Sequence, residues 1–347
     1  MGSSNEKAVV MTVPGDRPLE LAILGCGAVT EEFHLPAAGN SRHMRITLLV
    51  DKDLPRARSL AQKFNVPSAA DNWTNIESHA EAALVALPHH LHAPVTIDLL
   101  KRGVHTLVEK PMALSRRECE TMAAQAQASG SVLAVGLVRR FYASFQFVKR
   151  ALDEGVIGDV TEFDFREGQI YNWPLRSGFR FDKKSAGGGV LVDTGSHVLD
   201  ALLWWLGDWE SVIYYDDAEG GLDANCELHL RLRNGATGTV ELSRTRRLRN
   251  TFILRGRRGT IDVSAGAKSA VRLRVGDHQV FLEGTAIREG VGPENLHDAL
   301  RRQLEDFAGA VRHGQPPLVP AAEGMRSVDL IEECYESRRP LALPWDR

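Results

Sequence analysis

Residues 19–30, which read LELAILGCGAVT, decide the fold. The apolar run Leu19–Leu24 predicts a buried parallel strand that leads directly into a glycine turn and then into a helix. Gly25 permits the tight turn, and Gly27 lets the backbone approach a pyrophosphate lying on the helix N-terminus. Thr30 stands where this pattern has its third glycine, so we expect the helix to pack less closely on the strand. Glycine turns after strands are common, and the residues that follow strengthen the interpretation.

An acidic residue follows the second predicted strand, Ile46–Val50. Asp51 lies twenty-one residues beyond Thr30, about the spacing at which a carboxylate binds the ribose hydroxyls of the adenosine half. The alternative is an ordinary aspartate at a strand end. Because a carboxylate repels a 2′-phosphate, Asp51 favours NAD over NADP. NADP stays possible because three basic residues that could pair with a phosphate follow closely: Lys52, Arg56 and Arg58.

The alternation of strand and helix continues along the chain. Ala82–Leu87 predicts another buried strand. Its carboxyl-end loop holds a proline and three histidines: Pro88, His89, His90 and His92. No cysteine or carboxylate stands at ligand spacing around them, so a loop or a cofactor contact is favoured and no metal is expected. Further strands at 104–108 and 131–136, separated by helices, predict a doubly wound parallel sheet that ends near residue 140.

A lysine stands at the carboxyl end of the strand 104–108, in the sequence Glu109-Lys110-Pro111. The proline keeps Lys110 extended, because a residue that precedes proline avoids the helical region. Ligands of open α/β sheets bind in the crevice beyond the carboxyl ends of the strands. The amine is therefore either a solvated strand end or a group aimed at a substrate.

The second half of the chain has a different pattern. Residues 226–232 and 236–242 alternate apolar with polar side chains on either side of the turn Asn234-Gly235, which is typical of a hairpin. Four further short strands follow up to Leu282. This pattern predicts a large, mostly antiparallel open sheet with one apolar face.

Helices are expected to complete this half. Thr194–Leu206 is the natural cover for the apolar face, with Trp204 and Trp205 in the core. Two terminal helices are predicted at 294–313 and 321–337.

The segment 187–197, GGGVLVDTGSH, leads into the covering helix. Three successive glycines allow close approach of the backbone to a ligand or to another chain segment. Asp193 and His197 are four residues apart, so on a helix they share one face. The acid would then raise the pKa of the imidazole and fix its orientation. The alternative is a capping aspartate beside a buried, satisfied histidine.

Seven arginines crowd the hairpin region that follows: Arg244, Arg246, Arg247, Arg249, Arg255, Arg257 and Arg258. Such a run of charge is usually a solvated face. The alternative is a contact with a phosphate or a nucleotide sugar.

Together these features resemble the glucose–fructose oxidoreductase, inositol dehydrogenase and MocA (Gfo/Idh/MocA) family of nicotinamide-dependent sugar and cyclitol dehydrogenases, over roughly residues 19–337. The matching motifs are the glycine turn with His34-Leu35-Pro36-Ala37, residues 88–92, Glu109-Lys110-Pro111, residues 187–197 and residues 256–259. The resemblance implies an α/β protein. A Rossmann dinucleotide-binding domain would span 19–140, and an α/β domain that binds substrate and forms oligomers through its open sheet would span 141–337. The leader (1–18) and the tail (338–347) fall outside both.

The resemblance also implies the site residues. The catalytic set is Lys110, Asp193 and His197. The residues expected to bind the cofactor are Gly25, Gly27, Ala28, Val29, Asp51, Lys52, Leu87, Pro88, His90, His92, Glu109, Lys110 and Arg140. The residues expected to line the sugar pocket beside the catalytic three are Tyr171, Asn172, Trp173 and Arg180, where an aromatic ring suits the C–H face of a sugar.

The implied reaction is hydride transfer between a nicotinamide cofactor and a secondary hydroxyl of a sugar, a cyclitol or a sugar derivative. We expect His197, titrating near neutrality, to take the hydroxyl proton, and Asp193 to hold a substrate hydroxyl. Lys110 would stabilise the developing alkoxide, or act as the base itself. Two alternatives remain. One is an NAD-dependent glycosidase that oxidises its substrate transiently, and the other is a non-catalytic sugar-sensing regulator.

The composition argues against other classes of partner. Of 347 residues 43% are hydrophobic, and the formal net charge is −3, so neither nucleic acid nor an anionic membrane is expected. Residues 1–17 lack the apolar core of a signal peptide. The most apolar stretch, Val198–Leu206, contains Asp200 and is too short to span a bilayer.

Cysteine usage bears on the compartment. The four cysteines are widely separated: Cys26, Cys119, Cys226 and Cys334. They predict neither a disulfide framework nor a CxxC metal site, so we expect a cytoplasmic protein. Its expected partners are a small polyol or sugar and further copies of the same chain.

Overall fold

The computed structural model describes residues 17–172, 178–266, 270–283 and 295–342. Two β-sheets flanked by helices make up these residues, which confirms the predicted α/β class. No helix in the described part of the chain is long and apolar enough to cross a membrane.

The first sheet has six parallel strands: β1 (Leu19–Leu24), β2 (Met44–Val50), β3 (Ser68–Ala70), β4 (Ala82–Val85), β5 (His105–Glu109) and β6 (Leu133–Gly136). Their spatial order is β3-β2-β1-β4-β5-β6. The chain therefore winds outward in both directions from the pair β1 and β4, as predicted for a doubly wound sheet. The predicted strand Ala82–Leu87 ends two residues early, and the Leu87 carbonyl oxygen lies 2.9 Å from a ring nitrogen of His92 instead of joining the ladder.

Helices connect these strands. A π-helical segment, Thr30–His34, continues into α1 (Leu35–Gly39), and α2 (Leu54–Lys63), α3 (His92–Lys101) and α4 (Arg116–Ser129) follow. Their ends follow ordinary capping rules. The Asp53 side chain accepts a hydrogen bond from the Arg56 backbone at the start of α2, and Gly130 takes a left-handed conformation after α4.

In the described part of the chain the second sheet has nine strands: β7 (Val160–Gly168), β8 (Trp209–Asp216), β9 (Asn225–Leu232), β10 (Thr237–Ser243), β11 (Thr251–Gly256), β12 (Gly259–Ser264), β13 (Ala270–Val275), β14 (His278–Glu283) and β15 (Arg339–Pro340). Their order is β14-β13-β12-β11-β7-β10-β9-β8-β15. Among the described strands of this sheet, only β7 with β10 and β8 with β15 are parallel pairs. The prediction of a mostly antiparallel sheet, with a hairpin at Asn234-Gly235, is confirmed.

One face of this sheet is covered by α5 (Ala143–Asp153) and α7 (Ser196–Leu206), and the short helix α6 (Lys183–Ala186) lies between them in the chain. Trp205 of α7 packs against Phe165 of β7 and Phe252 of β11, with ring centroids 5.9 and 6.3 Å apart. Its indole N–H donates to the Phe145 carbonyl oxygen at 3.2 Å, which satisfies the buried polar atom. The predicted covering helix and the core position of Trp205 are both confirmed.

The opposite face of the second sheet is half-polar. The strand register puts one row of partly or fully exposed side chains across it: Ile213, His229, Thr239, Asp164, Ile253, Asp262, Arg272 and Phe281. Ile213 and Phe281, near the two edges, are 42% and 53% exposed. Exposed apolar residues thus occur singly on this face, among polar and charged neighbours.

The two C-terminal helices pack on the first sheet. Helix α8 (Leu296–His313) contacts α1 and β2, and His297 Nε2 lies 2.8 Å from the Glu32 carbonyl oxygen. Helix α9 (Ala321–Glu336) lies against α4 and β6, where a side chain on Gly324 would overlap Val135. Both predicted helices are confirmed. The boundary near residue 140 separates the strands of the two sheets, and as a domain boundary it stays a prediction.

The buried side chain of Arg140 connects the two halves of the chain. Its side chain is 2% exposed, and its guanidinium donates to the Asp200 carboxylate of α7 at 2.7 Å and to Glu323 of α9 at 2.8 Å. It also lies over the Trp204 ring, 5.2 Å from the centroid. This arrangement contradicts the expected cofactor contact, because the guanidinium is enclosed and engaged by two carboxylates. Arg140 is a structural residue.

Replacing Arg140 by methionine should lower the free energy of unfolding by about 3–5 kcal/mol, because the Asp200 carboxylate loses its buried partner. Urea denaturation followed by circular dichroism measures this change. Adding Asp200→Leu should recover part of the loss, since the uncompensated charge is then gone. As a control, Arg45→Met removes an exposed pair with Glu20 and should cost under about 1 kcal/mol. Equal losses of unfolding free energy in the Arg140 and Arg45 variants would contradict the assignment of Arg140 as a structural residue.

Candidate active site

The glycine turn lies at the carboxyl edge of the first sheet, between β1 and β4. Gly25 has φ +102°, and a side chain on it would overlap the Ala86 carbonyl oxygen, so two separate constraints require glycine there. A side chain on Gly27 would meet no atom within 4 Å. The helix begins at Ala28 and Val29, and its N-terminus favours an anion. Open backbone followed by a helix N-terminus fits a dinucleotide pyrophosphate.

Thr30 and Asp51 hold this turn in place. The Thr30 hydroxyl donates to the Gly25 carbonyl oxygen at 2.6 Å, so it ties the helix back to the turn. The Asp51 carboxylate, at the end of β2, accepts from the Cys26 backbone N–H at 2.7 Å. It therefore lies beside the turn, where the adenosine ribose of a dinucleotide is bound in this fold.

The three basic residues that could bind a 2′-phosphate lie in different environments. Arg56 donates to the Cys26 carbonyl oxygen at 3.0 Å and pairs with Glu31. Lys52 and Arg58 are exposed. Arg56 thus serves the fold, and the expected preference for NAD over NADP stays a prediction.

The histidine loop after β4 reaches the second half of the chain. His89 Nδ1 lies 2.8 Å from the Ala186 carbonyl oxygen. Burial, followed by the neighbouring His92, lowers the pKa of His89 to about 3, so the ring is neutral. His90 is exposed, and Leu87 and Pro88 are partly exposed beside the glycine turn. The sequence did not single out His89, although it lies in the predicted loop.

His92 contradicts the expected cofactor contact. It is fully buried, with Nδ1 2.8 Å from the Pro111 carbonyl oxygen and Nε2 2.9 Å from that of Leu87. Burial lowers the pKa of the ring. His92 therefore holds the histidine loop against the turn that contains Lys110. The described residues include no group of three or more side chains that could hold a metal ion.

Glu109, at the end of β5, is anchored from both sides. His34 Nε2 donates to one carboxylate oxygen at 2.8 Å, and the Lys110 backbone N–H donates to the other at 3.1 Å. Burial alone would raise the pKa of Glu109, but the hydrogen bond from His34 and the charge of Lys110 lower it. The carboxylate is thus ionised, and its contacts fix the residue that precedes Lys110.

The Lys110 side chain crosses to the second half. Its Nζ lies 2.7 Å from the backbone carbonyl oxygen of Asp193 and 3.0 Å from Oδ1 of the same residue. Asp193 belongs to a π-helical segment, Leu191–Gly195, that precedes α7. The structure therefore brings two of the three predicted catalytic residues into direct contact.

Asp193 is bound by arginines and not by the predicted histidine. Arg180 Nη1 donates to Oδ1 at 2.7 Å, and Arg244 Nη2 donates to Oδ2 at 3.1 Å. Burial alone would raise the pKa of Asp193, but Lys110, Arg180 and Arg244 hold it well below its ordinary value. In the sequence, Arg244 belongs to the run of seven arginines that is interpreted as a solvated face. Its position immediately after β10 is the feature that could have indicated a site residue.

The glycine run is packed against other parts of the chain. Side chains on Gly188 and Gly189 would overlap Tyr335 and Asp223. The Asp223 carboxylate accepts from the Gly189 and Leu191 backbone N–H groups at 2.9 and 2.8 Å, and from the Tyr335 hydroxyl at 2.7 Å. Asp223 therefore anchors the segment that carries Asp193. No local pattern in the sequence pointed to it.

His197 does not titrate near neutrality. Burial, followed by the positive charges of Lys110 and Arg139, lowers its pKa well below 6.5, and Asp193 opposes this only weakly. The expectation of a raised pKa was wrong because Lys110 and Arg139, both from the first half, outweigh the acid. The ring is neutral, and its Nδ1 has no hydrogen-bond partner among the described residues.

The predicted pocket residues are only partly described. The Tyr171 backbone N–H donates to the Arg244 carbonyl oxygen at 2.8 Å, and the Arg244 guanidinium lies 5.2 Å from the centroid of the Tyr171 ring. Asn172 is exposed. Trp173 lies outside the described residues. Tyr171, Arg180 and Arg244 thus surround Asp193.

Two family models match the chain. Residues 19–137 match the model described as an oxidoreductase family with an NAD-binding Rossmann fold, GFO_IDH_MocA. Residues 145–262 match the GFO/IDH/MocA C-terminal domain.

Individual proteins match over nearly the whole chain. The trans-1,2-dihydrobenzene-1,2-diol dehydrogenase of Mus musculus is 26% identical over 341 residues, covering 92% of this chain and 96% of that protein. The D-xylose 1-dehydrogenase (NADP(+)) 2 of Haloferax volcanii is 26% identical over 325 residues, covering 91% and 96%. A solved complex of levoglucosan dehydrogenase with NADH and levoglucosan superposes with a TM-score of 0.83 at 23% identity, covering 92% and 96%. The superposition on levoglucosan dehydrogenase shows that the two chains share a fold.

Stability should fall as the pH drops below about 6.5. His89, His92 and His197 have lowered pKa values in the folded state, so below about 6.5 the unfolded chain binds more protons than the folded one. Each such group contributes a slope of up to about 1.4 kcal/mol per pH unit. His89→Gln, which can still donate to the Ala186 carbonyl, should flatten the dependence between pH 6.5 and pH 5. Urea midpoints measured across this range test it, and parallel curves for variant and parent would contradict it.

Proposed function

The chain belongs to the Gfo/Idh/MocA oxidoreductase family, and on that basis we propose that it is an NAD(P)-dependent dehydrogenase of a secondary hydroxyl on a sugar, a cyclitol or a sugar derivative. The observation that carries this proposal is the contact between Lys110 and Asp193. An amine at the carboxyl edge of the nucleotide-binding sheet meets a carboxylate of the other half there. Ligands of such sheets bind at this edge.

The cofactor would be held by residues that surround the glycine turn. Gly25, Gly27, Ala28 and Val29 would bind the pyrophosphate, and Asp51, with Lys52 beside it, the adenosine ribose. Leu87, Pro88, His90 and Glu109 lie along the same edge toward Lys110. When bound, the nicotinamide ring supplies the hydride acceptor of the oxidation.

Lys110 is suited to hold the reacting oxygen. An ammonium group has three N–H donors, and two of them point at oxygen atoms of Asp193 in the described structure. The third would donate to the substrate hydroxyl and stabilise the negative charge that develops as its proton leaves.

His197 and Asp193 have different proposed roles because the imidazole is neutral and the carboxylate is ionised. The neutral His197 ring is in the form that accepts a proton, so it serves as the general base. The lowered pKa of Asp193 keeps it ionised, so it accepts hydrogen bonds and does not donate a proton. It would orient a neighbouring substrate hydroxyl.

The open face of the second sheet would join copies of this chain. Ile213 and Phe281 lie exposed at opposite ends of a polar row on that face, so pairing of two such faces would bury them.

Replacing Lys110 by methionine should lower turnover by about 10²–10⁴ while NAD binding is kept, because the variant loses a group that acts on the reacting oxygen. Sugars, cyclitols and nucleotide sugars screened with NAD and NADP supply the substrate, and NADH absorbance and calorimetric NAD titration supply the two readouts. Lys149→Met, which removes only an ion pair with Asp153 within α5, is the control and should retain activity. A loss under about tenfold in the Lys110 variant would rule out this role.

The same screen separates the two chemical alternatives. Accumulation of NADH with a free sugar supports a dehydrogenase. Release of a sugar from a glycoside with no change in NADH would instead show a hydrolase that oxidises its substrate transiently.

Replacing Asp51 by serine should change cofactor preference. Loss of a carboxylate that binds ribose hydroxyls should lower kcat/KM for NAD by about 10–100-fold, because hydrogen bonds to a charged group contribute about 1.5–3 kcal/mol. NADP should lose less, since its 2′-phosphate is no longer repelled. Asp153→Ser, in the second half of the chain, is the control. Equal losses with the two cofactors would show that Asp51 only supports the turn through Cys26.

A further inference from the structure

Tyr335 connects the C-terminal helix to the glycine run. It lies near the end of α9, and its hydroxyl donates to Asp223 Oδ1 at 2.7 Å. Burial, followed by the negative charge of Asp223, raises the pKa of Tyr335 well above its ordinary value. The hydroxyl therefore keeps its proton at neutral pH, and its hydrogen bond to the carboxylate is charge-assisted.

The ring of Tyr335 is held by contacts that do not involve its hydroxyl. The Arg338 guanidinium lies 4.7 Å from the ring centroid, and the Tyr214 ring packs edge-on with its centroid at 5.9 Å. The Tyr214 hydroxyl is also buried, but it has no hydrogen-bond partner among the described residues. A phenylalanine at either position can keep the place of the ring, so the two neighbouring tyrosines differ in what their hydroxyls do.

Glycine at position 188 leaves the space that the Tyr335 hydroxyl needs. A side chain on Gly188 would overlap the Tyr335 oxygen, and a side chain on Gly189 would overlap the Asp223 backbone carbonyl oxygen. Neither glycine has a positive φ. The close approach of Tyr335 and Asp223, and not the backbone conformation, therefore requires glycine at both positions.

Asp223 binds three successive backbone N–H groups at the start of the π-helical segment Leu191–Gly195. Its carboxylate accepts from Gly189 and Leu191 at 2.9 and 2.8 Å, and its backbone carbonyl oxygen accepts from Val190 at 2.8 Å. The first N–H groups of a helical segment have no acceptors within the segment. Asp223 supplies these acceptors and so fixes the place at which the segment begins.

The hydrogen bonds continue from this end of the segment to Lys110. The Gly189 carbonyl oxygen accepts from the Asp193 backbone N–H and from Arg244 Nη2, both at 3.0 Å. The Asp193 carbonyl oxygen in turn accepts from Lys110 Nζ at 2.7 Å. A shift of the segment at Asp223 would therefore move the oxygen atoms that hold the Lys110 ammonium.

We propose that Tyr335 is a positioning residue of the site: through its hydrogen bond to Asp223 it fixes residues 187–195, and thereby places the Asp193 oxygen atoms that hold Lys110. This inference rests on the proposed dehydrogenase function, in which Lys110 holds the reacting oxygen, and adds a residue of the C-terminal helix to that site. Tyr335 takes no part in hydride or proton transfer, because its hydroxyl proton is engaged by Asp223.

The first test compares the two neighbouring tyrosines. Tyr335→Phe should lower kcat by about tenfold, because a displacement of about 1 Å at a reacting group costs about 10²-fold and the loss of one anchor permits a smaller displacement. Tyr214→Phe, which removes a hydroxyl without a partner among the described residues, is the matched control and should keep the wild-type kcat. Both variants are assayed with NAD and the sugar or cyclitol that gives the most NADH in the screen.

Counting folded sites separates a positioning role from a purely structural one. The stoichiometry of a calorimetric NAD titration gives the number of folded molecules, and kcat is expressed per NAD-binding site. The Kd for NAD should be unchanged, since Tyr335 lies outside the proposed cofactor residues. A loss that disappears when kcat is expressed in this way, or equal kcat in the two variants, would overturn the inference.

A double-mutant cycle tests whether Tyr335 acts through Asp223. Asp223→Asn should lower kcat by about 10–100-fold, the range that hydrogen bonds to a charged group supply. The double variant should then lose no more than Asp223→Asn alone. A double variant whose loss is the product of the two single losses would show that Tyr335 acts independently and would overturn the inference. If Asp223→Asn does not fold, the comparison of Tyr335→Phe with Tyr214→Phe decides.

Hydrogen exchange separates this inference from the dehydrogenase proposal, because it requires no turnover. Peptides that cover residues 187–195 should exchange about tenfold faster in Tyr335→Phe than in wild type, and at the wild-type rate in Tyr214→Phe. Faster exchange, with no NADH formed from any sugar or cyclitol, would support anchoring by Tyr335 and overturn the dehydrogenase proposal. NADH formation, with exchange and kcat unchanged in Tyr335→Phe, would support the dehydrogenase and overturn the positioning role.

Discussion

The contact between the Lys110 ammonium and Asp193 is the constraint on which the site depends. The two residues come from different sheets, and each is anchored within its own half before they meet. Glu109 and His34 fix the chain beside Lys110, and Asp223 fixes the glycine run that leads to Asp193. Because each support holds its own backbone by hydrogen bonds, a contact of 3.0 Å between the two side chains also fixes how the carboxyl edge of the first sheet faces the second half.

Glycine serves two opposite purposes in this arrangement. At Gly27 the missing side chain leaves space beside the backbone, and that space suits a ligand. At Gly188 and Gly189, Tyr335 and Asp223 occupy the space that a side chain would need. Both kinds of glycine look alike in the sequence. The difference is decided by segments that lie far away along the chain.

The same distinction explains what could be predicted from the sequence. Strands and covering helices followed from local alternation and turn residues, so the order of elements and the position of Trp205 were correct. The role of Arg140 and the pKa of His197 were not, because their partners are remote: Asp200 and Glu323 enclose Arg140, and Lys110 and Arg139 act on His197. The predicted pairing of Asp193 with His197 considered only neighbours on one helix, whereas three cations from other segments bind that carboxylate.

The charge states around Asp193 couple the two residues proposed to act on the reacting hydroxyl. In the protein alone, burial and the charges of Lys110 and Arg139 lower the pKa of His197, and a base with a lowered pKa accepts a proton less readily. Asp193 acts on the imidazole in the opposite direction, because a nearby negative charge favours the protonated ring. The same carboxylate accepts a hydrogen bond from Lys110, so the proposed base and the group that would hold the reacting oxygen both depend on Asp193.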